Sequence, residues 1–200
     1  MATKRENSVS GKKVILDVST KLFARLGFEG VSMRQIAKES NFTLPTIYHH
    51  FGNKDELYKA VETEMYGKYS TLLMDVAHED IEPEVKLRKF IASLIDLFEN
   101  NSDFLRLSQR NLMEDGEKNH EFLVNIALQK VHLVLRDLLN EYKEGCGDGI
   151  GPIVLFSLVL GFFTMSPVSK FLTGYQYAEI TPSEKRSMLT EAVINAIKVT

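Results

Sequence analysis

Between Thr43 and Lys54 the sequence gathers side chains suited to touching a polyanion: Thr43, Thr46, Tyr48, His49 and Lys54. Threonine hydroxyls and a phenol donate to phosphate oxygens or base edges, an ammonium neutralises phosphate, and the apolar surfaces of Leu44 and Pro45 can meet thymine methyl groups. Bond-breaking chemistry finds no comparable arrangement. His49 and His50 are adjacent, so on a helix their side chains diverge by about 100° and do not share a metal. His78, His120 and His132 lack ligand-like spacing with cysteine or carboxylates. Glycines 145, 147, 149 and 151 recur every second residue after a helix, the pattern of a flexible loop and not of a G-x-G-x-x-G phosphate cradle. No metal or cofactor is expected, and no nucleophile, carboxylate pair or metal constellation supports an enzyme.

The elements that would hold this surface are legible in the caps. Ser32 is placed to cap a helix, with Gln35 at the capping-box position and Val31 able to staple onto Ile36. Asn41 falls where a tight turn needs a left-handed residue. Thr43 then caps a short helix with Pro45 in its first turn, Phe42 able to staple onto Ile47, and Ile47 and Phe51 on the inward stripe. Gly52 ends it. Asn53 caps the next helix, with Asp55 and Glu56 in the turn where carboxylates favour the helix dipole. A helix, a turn, a short second helix with an exposed N-terminal end: this is the grammar of a helix-turn-helix presenting its second helix to a major groove.

Patterning elsewhere is helical, with no convincing strand alternation. Ser10 is a plausible cap for a first helix carrying Val14, Ile15, Val18, Leu22, Phe23 and Leu26, which leaves residues before it as a mobile basic arm. The fourth helix runs to about His78. Further helices open at Pro83, span about 103–113 and 118–143, start again near Pro152 after the glycine-rich link, and end with one opened by Thr181-Pro182. Thr173-Gly174-Tyr175 closes the Pro152 helix. The fold class is therefore all-α: a three-helix helix-turn-helix domain over residues 1–55 and a helical ligand-binding and dimerisation domain over 56–200.

Charge is uneven. Formal net charge is -3, yet residues 1–60 hold ten Lys/Arg against six Asp/Glu, and the rest is acidic. A basic head on an acidic body suits a head that meets nucleic acid. One cysteine, Cys146, excludes an intrachain disulfide and fits a reducing, cytoplasmic setting; the N-terminus lacks the apolar core of a signal peptide. The apolar run Ile150 to Met165 is shorter than the ~20 residues that span a bilayer, so it reads as a buried interface helix and no membrane partner is expected.

The stretch Phe28-x-Gly30-x-Ser32, Ile36-Ala37, then Thr46-Ile47-Tyr48-His49-His50-Phe51-x-x-Lys54-x-x-Leu57 resembles the N-terminal signature of TetR-family transcriptional repressors, over about the first 60 residues. The resemblance implies DNA contacts from Ser32, Met33 and Arg34 at the start of the second helix. It implies further contacts from Thr43, Leu44, Pro45, Thr46, Tyr48 and His49 on the recognition helix, with Lys54 as a phosphate anchor. Two departures stand out. Ser40-Asn41-Phe42 replaces the usual Ala-Gly-Val turn, and Leu44-Pro45 stands where many relatives carry Lys or Arg followed by Gly, removing a charged contact.

The resemblance also implies a ligand-responsive homodimer that binds a palindromic operator in double-stranded DNA and is released by a small, largely apolar effector. Pairing would use the Pro152–Leu172 helix and the 182–198 helix in a four-helix interface, with Leu160 and Val193 at its face. Aromatic and polar residues of the body are the candidate effector contacts: Phe90, Phe98, Leu107, Arg110, Asn111, Phe122, Asn125, Gln129 and Phe163. Arg110 could meet an anionic ligand group or pair with Glu114, four residues on. A DNA-binding module without an effector and a helical enzyme are the alternatives.

Overall fold

The computed structural model describes residues 2–113, 117–169, 171–172 and 180–198, the side chains of 2–10 and 117–118 excepted. These residues form α1 (Ala2–Leu26), α2 (Met33–Ser40), α3 (Leu44–Phe51), α4 (Lys54–Ala77), α5 (Pro83–Asn100), α6 (Ser102–Met113) and α7 (Glu117–Leu123). A five-residue π segment, Val124–Leu128, joins α7 to α8 (Gln129–Tyr142), and α9 (Gly151–Ser169) and α10 (Pro182–Ile197) complete the chain. No described residue lies in a strand. The Thr173–Tyr175 stop and Glu114, the expected partner of Arg110, fall outside the described residues.

In the N-terminal part, α1 packs on α2, α4 and α6, and α2 on α3. Its core is Ile15, Leu22, Phe23, Ile36, Ile47 and Leu57, all essentially inaccessible; burying each such side chain contributes about 1.5–3 kcal/mol. The first helix begins well before Ser10, at Ala2. No helix breaker lies between these positions, and the helix runs through Gly11 rather than starting beside it. In place of the expected mobile arm, then, the structure has helix.

In the rest of the chain α5 is central, packing on α4, α8, α9 and α10. Phe90, Ile91, Leu94, Ile95 and Phe98 fill its buried side. Phe98 gathers an aromatic group, with ring centroids 5.6 Å from Phe104, 6.1 Å from Phe156 and 6.0 Å from Phe163. Helix α10 starts with a complete capping box between Thr181 and Glu184. Val193, expected at the pairing face, is fully buried in the protomer's own core; on α10 it shares a face with Leu189 and Ile197, at the four-residue spacing that lines one side of a helix.

Two features depart from the patterned reading. The long helix after residue 118 is interrupted: the Gln129 N–H reaches back five residues to the Val124 carbonyl, so a wider π turn replaces regular α geometry. The glycine-rich link after α8 is a packed turn, not a loose loop. The Gly147 N–H donates to Asn140 Oδ1 at 2.8 Å, and a Cβ at Gly147 would stand 2.0 Å from the Arg136 carbonyl oxygen. Only glycine allows that approach.

A buried string of polar groups ties α4 to α6. The Tyr58 hydroxyl donates to Asn111 Oδ1 at 2.7 Å, and Asn111 Nδ2 donates to Glu62 Oε1 at 2.6 Å and to the Tyr66 hydroxyl at 3.2 Å. The Tyr66 hydroxyl lies 3.5 Å from Ser108 Oγ. Burial pushes the Tyr66 phenol up to about 12, with the Glu62 carboxyl adding to the rise and the hydrogen bonds to Ser108 and from Asn111 acting in the opposite sense. A phenol whose folded pKa is raised stabilises the fold fully below its unfolded pKa of about 10, and the contribution is lost as pH rises towards the folded value. Alkaline titration followed by circular dichroism is therefore expected to destabilise the native chain more steeply between about pH 10 and 12 than Tyr66→Phe; parallel curves would remove Tyr66 from the alkaline transition.

Candidate nucleic-acid interface and body cavities

Helix α3 is held on one side and open on the other. Ile47 is fully buried and Phe51 nearly so, while Pro45, Tyr48 and His49 are exposed and Leu44, Thr46 and His50 half-buried. The turn that sets α3 against α2 depends on Asn41, the one described non-glycine residue with positive φ (φ 59°, ψ 30°). There the Phe42 N–H donates to the Ala37 carbonyl at 3.1 Å and the Asn41 N–H to the Lys38 carbonyl at 3.4 Å, the paired bonds of a Schellman turn. Asn occupies the left-handed position at less cost than a β-branched or bulky residue.

The caps are as the residue pattern predicts. Ser32 Oγ accepts from the Gln35 N–H at 3.1 Å, Thr43 Oγ1 from the Thr46 N–H at 3.4 Å, and Asn53 Oδ1 from the Glu56 N–H at 2.9 Å. The Gln35 side chain, however, turns to Glu39 at 3.1 Å. The α2 cap has a hydroxyl–amide bond and a Gln–Glu pair in place of a reciprocal box.

Most of the expected DNA-contact residues are at least partly open to solvent. Ser32 and Arg34 are exposed at the start of α2. Thr43 and Thr46 join hydroxyl to hydroxyl at 2.8 Å, so one of the two donates inward and leaves its partner's proton to reach a base or phosphate. Met33 is the exception. It is only 7% exposed and shares a face with Ile36, Ala37 and Ser40, the inward side of α2 at helical spacing, so it belongs to the core and not to the contact surface. Lys54 is half-buried, its Nζ 4.2 Å from the Phe28 ring centroid, and stands at the first position of α4. A cation–π contact thus holds the ammonium over Phe28.

The candidate effector residues are scattered. Asn111, Phe122 and Asn125 line a cavity of about 530 Å³ between α4, α6, α7 and the π segment. Phe98, Phe163, Phe90 and Leu107 are core side chains. Gln129 is exposed at the start of α8. Arg110 points neither at that cavity nor into the core: its Nη2 donates to the Arg25 carbonyl at 3.4 Å, and its guanidinium covers Gly27, where a Cβ would meet Nη1 at 2.7 Å. Gly27 has φ 76°, the left-handed conformation that favours glycine. A second, apolar cavity between Tyr66, Leu73, Leu97, Phe104, Ala127 and Phe156 offers only about 40 Å³. Residue types alone did not indicate Tyr58 and Glu62, which reach the larger cavity from α4; their helical spacing to Tyr66 and Tyr69 was the available signal.

Comparison with known proteins agrees with this geometry. The family model for bacterial regulatory proteins of the tetR family matches residues 15–61. The chain is 24% identical over 167 residues to the uncharacterized HTH-type transcriptional regulator YuxN of Bacillus subtilis (strain 168), covering 78% of this chain and 57% of that one. A second Bacillus subtilis regulator is matched over 47% of its length, so the chain spans about half the length of these two relatives. It is 24% identical over 151 residues to IcaR, the biofilm operon icaADBC HTH-type negative transcriptional regulator of Staphylococcus epidermidis, covering 76% and 79% of the two chains. Among solved structures, the transcriptional regulator FadR from Bacillus subtilis in complex with stearoyl-CoA superposes with a TM-score of 0.74 at 18% identity, over 92% of this chain and 96% of that one; this likeness is one of fold.

The expected contacts divide into positioning and reading. Tyr48→Ala and Lys54→Ala are expected to weaken binding to all duplexes alike, as loss of a backbone contact does, whereas substitutions at Leu44 or Thr46 change which base pairs are preferred. Selection from a random duplex pool with each variant checks this; unaltered preferences for Leu44 and Thr46 variants would withdraw their assignment as readers.

Proposed function

The chain belongs to the tetR family of bacterial regulatory proteins, and from that premise we propose that it is a homodimeric, ligand-responsive transcriptional repressor acting in the cytoplasm. Residues 1–55 are the DNA-binding head and 56–200 the ligand-binding and dimerisation body. Two heads related by a two-fold axis read a palindromic operator, each setting α3 into successive major grooves. An effector in the body favours a state whose heads no longer match the operator spacing, and so shifts the population off DNA.

The observation that carries the DNA reading is α3 itself: capped, seated on Ile47 and Phe51, and open along Pro45, Tyr48 and His49. Repression is supported by the name of the IcaR relative, a negative regulator. Binding to duplex DNA from immediately upstream of its own coding sequence is expected to fall steeply with salt, with a slope set by several phosphate contacts. A flat response would overturn groove binding.

The dimer reading rests on α9. That helix has 19 residues and a mean hydropathy of 1.8, enough by length and composition to cross a membrane, yet only 28% of its apolar window is buried within the protomer. Ile153 (64% exposed), Leu158, Met165 (59%) and Val168 form its open side, while Leu155, Val159 and Phe163 face the protomer's core. An apolar strip of this length on a helix already packed against α5, α8 and α10 suits a second copy of the same helix better than lipid. Ile153→Asp combined with Met165→Asp is expected to halve the mass seen by sedimentation; an unchanged dimer mass would place the interface elsewhere.

A further inference from the structure

The start of α1 lies against both the approach to α3 and its end. A Cβ at Gly11 would stand 3.3 Å from the Phe42 ring, so the α1 backbone runs close to the turn that leads into α3. One residue on, Lys12 Nζ lies 5.5 Å from the ring centroid of Phe51, the last residue of α3. Gly11 is buried and Lys12 exposed, so core gives way to solvent between them. The Lys12 ammonium is thus an open charge carried at the flank of the recognition helix.

Its neighbour is used differently. Lys13 Nζ donates to Asp17 Oδ1 at 2.8 Å and also to the Glu64 carboxylate, which ties it to α4. Lys12 takes part in no ion pair among the described residues. The residues three and four positions from it along the helix are Ser8, Val9, Ile15 and Leu16, none of them acidic. What holds Lys12 is the Phe51 ring, whose negative face attracts a cation without neutralising it. Lys54 is seated on Phe28 in the same way, at 4.2 Å. An ammonium oriented by a ring keeps its full charge for an anion from outside.

Duplex geometry identifies that anion. An α-helix with its side chains is about 10–12 Å across, and the major groove of B-DNA is about 12 Å wide. A helix seated there fills the groove, so a cation at its flank stands over the phosphates of a groove edge. We propose that Lys12 binds a DNA phosphate, a contact made from α1, to which no DNA contact is otherwise assigned. The proposal rests on the DNA-binding reading above and adds a residue from outside the family motif, which begins at Phe28. Such a contact carries no base preference; it fixes how α3 sits in the groove. Phe51 links the two tasks, anchoring α3 with its ring edge in the core and orienting Lys12 with its face.

Counterion release gives the test its specificity. Each phosphate contact contributes about 0.9 to the slope of log affinity against log salt concentration, so a Lys12 variant loses about 0.9 for every head that engages the duplex. Binding of the full-length protein to fluorescently labelled duplex from upstream of its coding sequence is followed by anisotropy across a series of KCl concentrations. Lys12→Met keeps an apolar contact with Phe51 and removes only the charge; it is expected to lower the slope by that amount. Lys12→Arg keeps the slope of the unaltered protein, and so does Lys13→Ala. Lost packing alone would weaken binding by the same factor at every salt concentration. A Lys12→Met slope equal to that of the unaltered protein, whatever its affinity, overturns the contact, as does an equal fall in Lys13→Ala. Lys12→Gln repeats the measurement with a neutral polar chain, so a folding defect in one variant leaves the other to decide. A flat response from the unaltered protein overturns the DNA-binding reading and this contact with it; a steep response that the Lys12 variants leave unchanged overturns the contact alone.

Discussion

Asn111 holds the molecule's two parts in register. Its amide reaches three side chains of α4 at once: it accepts from Tyr58 and donates to Glu62 and Tyr66. Helix α4 begins at the DNA-facing end and runs into the body, while α6, which carries Asn111, also packs on α1. A single side chain with both donor and acceptor capacity therefore fixes how two helices slide and rotate against each other. Apolar packing alone would hold them less specifically, because buried polar groups must find their partners and penalise every other register. Arg110, the next residue back, adds the second hold by covering Gly27 at the end of α1. Adjacent residues on one helix thus reach α4 and α1 by different sides.

Much of the head was readable because its structure is dictated locally. Caps at Ser32, Thr43 and Asn53, the left-handed turn at Asn41 and the stop at Gly52 depend on side-chain hydrogen bonds and backbone sterics within a few residues, and the structure has each of them. Local grammar also sets the limit. Met33 sits at the first position of α2, where the family motif counts it as a DNA contact, but its burial depends on which side of α2 meets α1. The same tertiary choice decides that Val193 faces inward on α10 while Met188 is exposed.

The body was legible as helices and only faintly as a site. Its aromatic residues have the spacing of core, and most are core; no periodicity distinguishes Phe122, which borders a cavity, from Phe98, which fills a core. What distinguishes them is the company of Glu62, Tyr58 and Asp55, brought from α4 across the fold. Convergence of that kind is a property of three dimensions. The glycine-rich link shows the converse: its alternate glycines suggested looseness, whereas Gly147 is glycine because the Arg136 carbonyl occupies the space of a side chain.

The π segment has a consequence of its own. Opening one turn from four residues to five inserts a position without adding a loop, and each residue added to or removed from a helix rotates the downstream side chains by about 100°. Phe122 and Asn125 line one cavity, and Ala127 and Leu128, within the same few residues, line the other. Which side chains wall these cavities is thus controlled by chain length as well as by residue identity. Deleting one residue between 124 and 128 would turn a different set of side chains inward in a single evolutionary step, a larger change of chemistry than any one substitution offers, while the DNA-reading surface stayed as it is.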